Sequence, residues 1–110
     1  MMLAGEVITE MIQSMRQDLK NMPELVNIFR ERYRPDVERI EGAMWEHSHG
    51  ALYLKRFVIK GNVYELVELQ DSEGRTETTL FIDLQREGIS CSPTYLEAEI
   101  SMVDRMQEDK

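Results

Sequence analysis

Residues 51–84 carry the pattern that most constrains the fold of this chain. Residues 51–59 are rich in β-branched and aromatic side chains, residues 63–69 alternate apolar with polar, and residues 76–84 resume the alternation. Two breaks separate these runs, one around Gly61 and one around Gly74. Short alternating runs separated by turn-forming residues are typical of β-hairpins. The sequence therefore predicts an antiparallel meander of three strands.

The first of these strands is apolar on both of its faces. Successive side chains of a strand point to opposite sides, so its residues divide into two sets. One set contains Tyr53, Phe57 and Ile59, and the other contains Leu52, Leu54 and Val58. A sheet with two apolar faces must be covered on both, either by helices or by another subunit. This requirement favours self-association, and we expect a homodimer.

Two helices precede the strands. Apolar residues recur at spacings of three, four and one along the first segment, which is one face of a helix: Leu3, Val7, Ile8, Met11, Met15 and Leu19. The break at residues 21–23 stops this helix, and Pro23 suits the first position of a second helix that ends before Pro35. The sequence thus predicts an N-terminal helical pair.

Residues 36–50 fit two structures. Val37, Ile40 and Met44 have helical spacing. Alternate residues over 38–44 would equally line one side of a strand. We favour a short helix here.

The end of the chain predicts a brief fourth strand and then a helix. Residues 88–91 extend the meander, which covers about residues 51–91. Ser92 is a candidate cap for the helix and Pro93 fits its first turn, while Thr94 and Glu97 match a capping box. The expected inner stripe is Leu96, Ile100 and Val103. We therefore predict a single α+β domain over residues 1–110, with this C-terminal helix packing on the sheet.

Composition restricts where the protein acts. Hydrophobic residues are 42% and charged residues 31% of the 110, a balance typical of a globular domain. The apolar runs are too short to cross a membrane, and the first residues have no basic segment followed by a long apolar one. The one cysteine cannot form an internal disulfide. These features predict a cytoplasmic protein.

The charge is unevenly distributed along the chain. Residues 1–60 carry nine basic and nine acidic side chains, whereas residues 61–110 carry four basic and twelve acidic ones, so the net charge of −8 resides there. An acidic surface repels nucleic acid and attracts basic proteins. We expect a protein partner with a basic surface, and a less favoured alternative is that the carboxylates imitate a phosphate backbone.

His47 and His49 form the only local pair of metal-competent side chains in the sequence. On an extended strand the two imidazoles would point to the same side. With Glu46 or Cys91 as a further ligand they would suit a metal ion such as zinc, which takes three or four protein ligands. A domain that binds a metal or small ligand through His47 and His49 is therefore our alternative function.

Cys91 is the main candidate for a catalytic side chain. It lies just before the predicted C-terminal helix, where the helix dipole would favour a thiolate. A nucleophilic cysteine also needs a base, which His47 or His49 would have to supply through folding. The sequence carries no phosphate loop, dinucleotide fingerprint or nucleophile elbow. We therefore expect a protein that is not an enzyme and uses no cofactor.

Methionine is unusually frequent, with eight residues in 110. Methionine fills irregular gaps in cores, and it also serves adaptable binding surfaces. Our leading hypothesis is a protein-interaction module, such as a regulator, adaptor, inhibitor or chaperone, that uses apolar helices and the acidic C-terminal half. The predicted interface residues are Met11, Met15, Tyr53, Phe57, Met102 and Met106.

Overall fold

The computed structural model describes residues 5–109, and it describes side chains from Val7 onward. Its elements follow one another as α1 (Gly5–Arg16), β1 (Lys20–Asn21), α2 (Pro23–Arg32), β2 (Val37–His47), β3 (Gly50–Ile59), β4 (Asn62–Asp71), β5 (Thr76–Asp83), β6 (Gly88–Ser92) and α3 (Tyr95–Glu108). The protein is thus of the α+β class, as predicted. No helix among these residues has the length and apolar character needed to span a membrane.

The strands form one antiparallel sheet in which each strand pairs with its neighbour in sequence. The order is β1-β2-β3-β4-β5-β6. Strands β3, β4, β5 and β6 are the predicted meander. The prediction of three to four strands was too low, because β1 and β2 extend the sheet beyond β3.

The expectation of a helix within residues 36–50 is wrong, because this segment forms β2. A bulge interrupts the pairing of β2 with β3 between Val37 and Arg39. The extra residue reverses the alternation of side chains. As a result Val37 and Ile40 lie in the same core although three positions separate them. A bulged strand therefore produces the spacing that indicated a helix.

The N-terminal helices differ from the prediction in one boundary. The first helix ends at Arg16 rather than at Asn21, since Lys20 and Asn21 pair with Gly42 and Glu41 of β2. The second helix begins at Pro23, as expected. Leu3, which was assigned to the first helical stripe, lies outside the described residues.

Helix α3 begins with the predicted capping interaction but with a different buried face. The Thr94 side chain accepts a hydrogen bond from the backbone N–H of Glu97, so Thr94 is the cap, whereas Ser92 belongs to β6. The predicted inner stripe is correct only at Val103. Leu96 and Ile100 are exposed, and the side chains that α3 buries are Ala98, Glu99, Met102, Val103 and Met106.

Both faces of the sheet are covered by helices of this chain. Helices α2 and α3 lie on one face, over Ile40, Phe57 and Leu66. Helix α1 lies on the other, where Ile12 and Met15 pack with Leu52, Leu54 and Val67. Burying an aliphatic or aromatic side chain of this size contributes about 1.5–3 kcal/mol, so the two layers supply the main stabilising term.

A buried carboxylate joins α1 to the centre of the sheet. Glu65 of β4 is fully buried and receives hydrogen bonds from two guanidinium groups. Arg16 approaches with its Nη2 2.6 Å from Oε1, and Arg56 of β3 with its Nη2 2.7 Å from Oε2. A buried charge is tolerated only when it is paired and hydrogen-bonded, and here both oxygens are.

Replacing Glu65 should therefore destabilise the fold strongly. We expect Glu65→Ala to lower the free energy of unfolding by about 3 kcal/mol, because two partly buried guanidinium groups lose their carboxylate. Urea unfolding followed by Trp45 fluorescence measures this. The matched control is Glu73→Ala, whose carboxylate is 68% exposed beside Arg75 and should change stability by less than about 0.5 kcal/mol. Equal decreases in the free energy of unfolding of the two variants would contradict the structural role given to Glu65.

Candidate functional site

The space between helices α2 and α3 is a groove. The groove lies above β3, has a volume of about 250 Å³, and is hereafter the α2–α3 groove. It is lined by Leu25, Ile28, Phe29, Arg32, Tyr33, Ile40, Lys55, Phe57, Tyr95, Leu96 and Glu99. Its floor is therefore the apolar surface of β2 and β3, and its walls are the facing sides of two helices.

The upper walls of the α2–α3 groove carry exposed aliphatic side chains. Ile28 of α2 is 51% exposed and Leu96 of α3 is 57% exposed. Ile100, one helical turn after Leu96, is 46% exposed. Scattered single apolar residues are normal on a protein surface, but exposed apolar residues that line a cavity, as Ile28 and Leu96 do, are typical of a binding site.

One end of the groove is polar. The Tyr33 hydroxyl donates a hydrogen bond to Oε1 of the buried Glu99 at 2.7 Å. The Lys55 Nζ lies 3.1 Å from the Tyr95 hydroxyl oxygen and 4.6 Å from the centre of its ring. Two phenols, one carboxylate and one ammonium group therefore converge on the base of the groove.

Both phenols in this cluster are held in the protonated form. Burial raises the pKa of Tyr33, and the hydrogen bond to Glu99 raises it further. Burial also raises the pKa of Tyr95, followed by the negative charges of Glu99 and Glu68. A phenol of raised pKa donates hydrogen bonds and does not act as a base. The cluster is thus suited to orient a bound group and not to take a proton from it.

Exposed carboxylates border the apolar walls of the groove. Glu24 and Glu31 lie four residues before and three residues after Ile28 on α2, and both are exposed. Residues three and four apart are neighbours on a helix surface. By the same spacing, the exposed side chains of Glu97 and Asp104 flank Ile100 on α3. The walls therefore carry apolar side chains with acidic neighbours outside the groove, while the exposed Arg32, four residues after Ile28, lines the groove itself.

A second concave surface adjoins the α2–α3 groove at Lys55. It has a volume of about 820 Å³ and is lined in part by Leu19, Met22, Gly42, Met44 and Tyr53. Gly42 lies close to Met22, and a Cβ at this position would lie 2.4 Å from the Met22 sulfur, so a larger residue would displace that flexible side chain. We call this surface the Met22 shelf, and it extends the apolar surface beyond the N-terminal end of α2.

The predicted interface residues occupy two kinds of position. Met15, Phe57, Met102 and Met106 are buried in the two cores of the chain. Met11 packs partly buried against the core beneath α1, and Tyr53 lines the Met22 shelf. The role of these six residues in contacts with another chain stays a prediction. The exposed positions beside them are Ile28, Leu96 and Ile100, which the sequence pattern had not assigned to an interface.

His47 and His49 lie at the turn between β2 and β3 rather than together on a strand. Their ring centres are 6.1 Å apart, and the His47 ring stacks on Trp45. The backbone N–H of His49 donates to Nδ1 of His47. Residues 5–109 contain no group of three or more His, Cys, Asp or Glu side chains arranged to hold a metal ion. Metal binding by this pair stays a prediction.

Cys91 does not lie near the histidines. It is exposed on β6, and three strands separate β6 from β2. A catalytic Cys91 would need His47 or His49 beside it, and the fold does not bring them together. Cys91 also precedes the cap of α3 by three residues and belongs to a strand, so the proposed effect of the helix N-terminus on its thiol has no support in this geometry.

Comparison of the chain with protein-family models, with curated proteins and with solved structures finds no match.

The raised pKa of Tyr95 makes stability depend on pH in the alkaline range. Because its pKa is higher in the folded state, its contribution is present below about pH 10 and is lost as the pH rises further. We expect the free energy of unfolding to fall above about pH 10, and Tyr95→Phe to reduce this fall. Urea unfolding over a pH series measures it.

The control for this series is Tyr53→Phe, since Tyr53 is partly exposed and lies outside the phenol cluster. In Tyr53→Phe the free energy of unfolding should fall above about pH 10 by as much as it does in the unchanged protein. If the free energy of unfolding falls equally at high pH in Tyr95→Phe and in the unchanged protein, the proposed environment of Tyr95 is contradicted.

Proposed function

We propose that the protein is a non-enzymatic interaction module that binds an amphipathic helix of a partner protein in the α2–α3 groove. The observation that carries this proposal is the arrangement of its walls. The exposed Ile28 and Leu96 line the groove above its apolar floor, the exposed Ile100 follows Leu96 by one turn of α3, and exposed carboxylates are their neighbours on the two helices. A helix that presents an apolar stripe flanked by lysine or arginine complements this surface in both shape and charge.

The length of α3 suits a contact with a short helix. Helix α3 has 14 residues and is about 21 Å long. A partner helix of three to four turns laid beside it would place apolar residues at every third or fourth position against Leu96 and Ile100. The core of such a contact contributes most of the affinity, while the charges at its edge set specificity and the rate of association.

The polar end of the groove gives the site a direction. Arg32 at the C-terminal end of α2 and Lys55 beside Tyr95 are cationic groups that line the groove. The carboxylates along the walls favour basic side chains, whereas Arg32 favours an acidic group or the carboxyl end of the partner helix. This asymmetry would fix the orientation in which a helix binds.

We place this activity in the cytoplasm. Cys91 is a free thiol on the surface, and exposed thiols persist in a reducing compartment.

Binding of a designed peptide tests the proposed function. The probe is a fluorescein-labelled 14-residue helix with leucines along one face and lysines beside them. We expect saturable binding by fluorescence anisotropy, and we expect Leu96→Lys to weaken it at least tenfold, or about 1.4 kcal/mol, because the variant removes an apolar contact and repels the peptide. Added salt should weaken binding because the carboxylates at the edge are exposed.

Two controls separate this site from general attraction to an acidic protein. A scrambled peptide of the same composition lacks the apolar stripe and should bind at least tenfold more weakly. Ile89→Lys makes a similar change on β6, away from the groove, and should leave the affinity unchanged. Equal binding of both peptides, or equal binding by Leu96→Lys and the unchanged protein, would refute the proposal.

A further inference from the structure

Strand β6 is an edge of the sheet that lacks the usual protection against pairing. It is the last strand in the sheet order, and no described residue pairs with its outer side. Gly88, Ile89, Ser90 and Cys91 are all exposed, and Ile89 is the most exposed of the large apolar side chains described, at 65%. An exposed edge of this kind is a template for another strand.

Proteins protect free edges with lysine, proline, bulges or very short strands. The opposite edge follows this rule, because β1 has two residues and one of them is Lys20. Strand β6 does not follow it. Its five residues contain no charge and no proline, and all five pair with β5 without a bulge. Its outer side is therefore a regular, uncharged strand edge.

We propose that β6 pairs in antiparallel fashion with β6 of a second copy of this chain. A twofold axis at Ser90 pairs the whole strand, because Gly88 then faces Ser92 of the second copy and Ile89 faces its Cys91. Contacts of this kind are self-complementary under twofold symmetry. The larger side chain at position 89 meets the smaller one at position 91, so the pairing brings no two bulky residues together.

The absence of charge on β6 makes this edge the part of the surface where a second copy is not repelled. Each copy has a net charge of −8, so most faces of two copies repel each other. The β6 edge carries no charged side chain, and like charges therefore never face each other across the strand pair. A basic partner protein, in contrast, would gain nothing from this edge and is attracted to the carboxylates beside the α2–α3 groove.

The pairing also extends an apolar surface. Ile89 and Cys91 are paired with Ile82 and Leu80 of β5 and lie on the same face of the sheet as these residues. A twofold axis perpendicular to the sheet places this face of both copies on the same side. Ile89 then has apolar neighbours on both sides, from β5 and from the second copy.

Cross-linking tests the register. In this dimer the two Ser90 residues are directly opposite, with Cα atoms about 4.5–5.5 Å apart, which a disulfide spans. The two Cys91 residues are diagonal, about 7–8 Å apart, which is outside that range. Under mild oxidation we expect the double variant Ser90→Cys, Cys91→Ser to form a covalent dimer at least tenfold faster than the unchanged protein. Equal rates, or a faster rate for the unchanged protein, would overturn the register.

Mass measurement in solution tests the edge itself. We expect light scattering to show a dimer whose fraction rises with concentration, and a monomer for Ile89→Lys, since lysine protects an edge strand. Leu96→Lys is the control. It should remain dimeric although it binds the designed helical peptide more weakly. A protein that stays monomeric at all concentrations, or a dimer unaffected by Ile89→Lys, would refute the pairing without bearing on the groove.

Discussion

The hairpin of β3 and β4 is apolar on both faces, and this constraint determines where the other elements lie. Phe57 and Leu66 belong to one core, and Leu54 and Val67 belong to the other. Strands buried on both faces need a layer on each side. The layers are unequal, because α1 alone covers one face. A helix is about 10 Å wide, whereas six strands span about 24 Å. Helix α1 therefore does not cover β6. On the other face two helices leave a groove.

The surface charge is arranged differently from the charge along the sequence. The acidic excess lies in residues 61–110, but three carboxylates of that half, Glu65, Asp83 and Glu99, are buried and bonded within the fold. The exposed carboxylates beside the α2–α3 groove come from both halves of the sequence, with Glu24 on α2 and Glu97 on α3. The charge count therefore gives the net charge of the protein, but it does not show where the exposed carboxylates lie. That exposed carboxylates of both halves lie beside one groove becomes visible only when the two helices are placed side by side.

How far the sequence predicts this fold depends on whether the evidence is local. The meander was predictable because turn residues and alternation are both local signals, and Thr94 with Glu97 correctly marked the start of α3. Strand β2 was not predictable, because its bulge near Val37 imitates helical spacing. Only the partner strand β3 reveals the extra residue. In the candidate site, Glu99 and Tyr33 are 66 positions apart, and no pattern along the chain indicates that they meet.

The rotation of α3 about its axis connects the fold to the proposed function. Two apolar stripes compete on this helix, one with Leu96 and Ile100, and one with Ala98, Met102 and Met106. The stripe with Met102 and Met106 is buried. In this orientation of α3, Glu99 is also buried and accepts the hydrogen bond from Tyr33. Leu96 and Ile100 stay 57% and 46% exposed, so each lacks part of the about 1.5–3 kcal/mol that full burial of such a side chain contributes. A contact with a partner helix recovers part of that energy, so the orientation that satisfies Glu99 also provides the apolar wall of the groove.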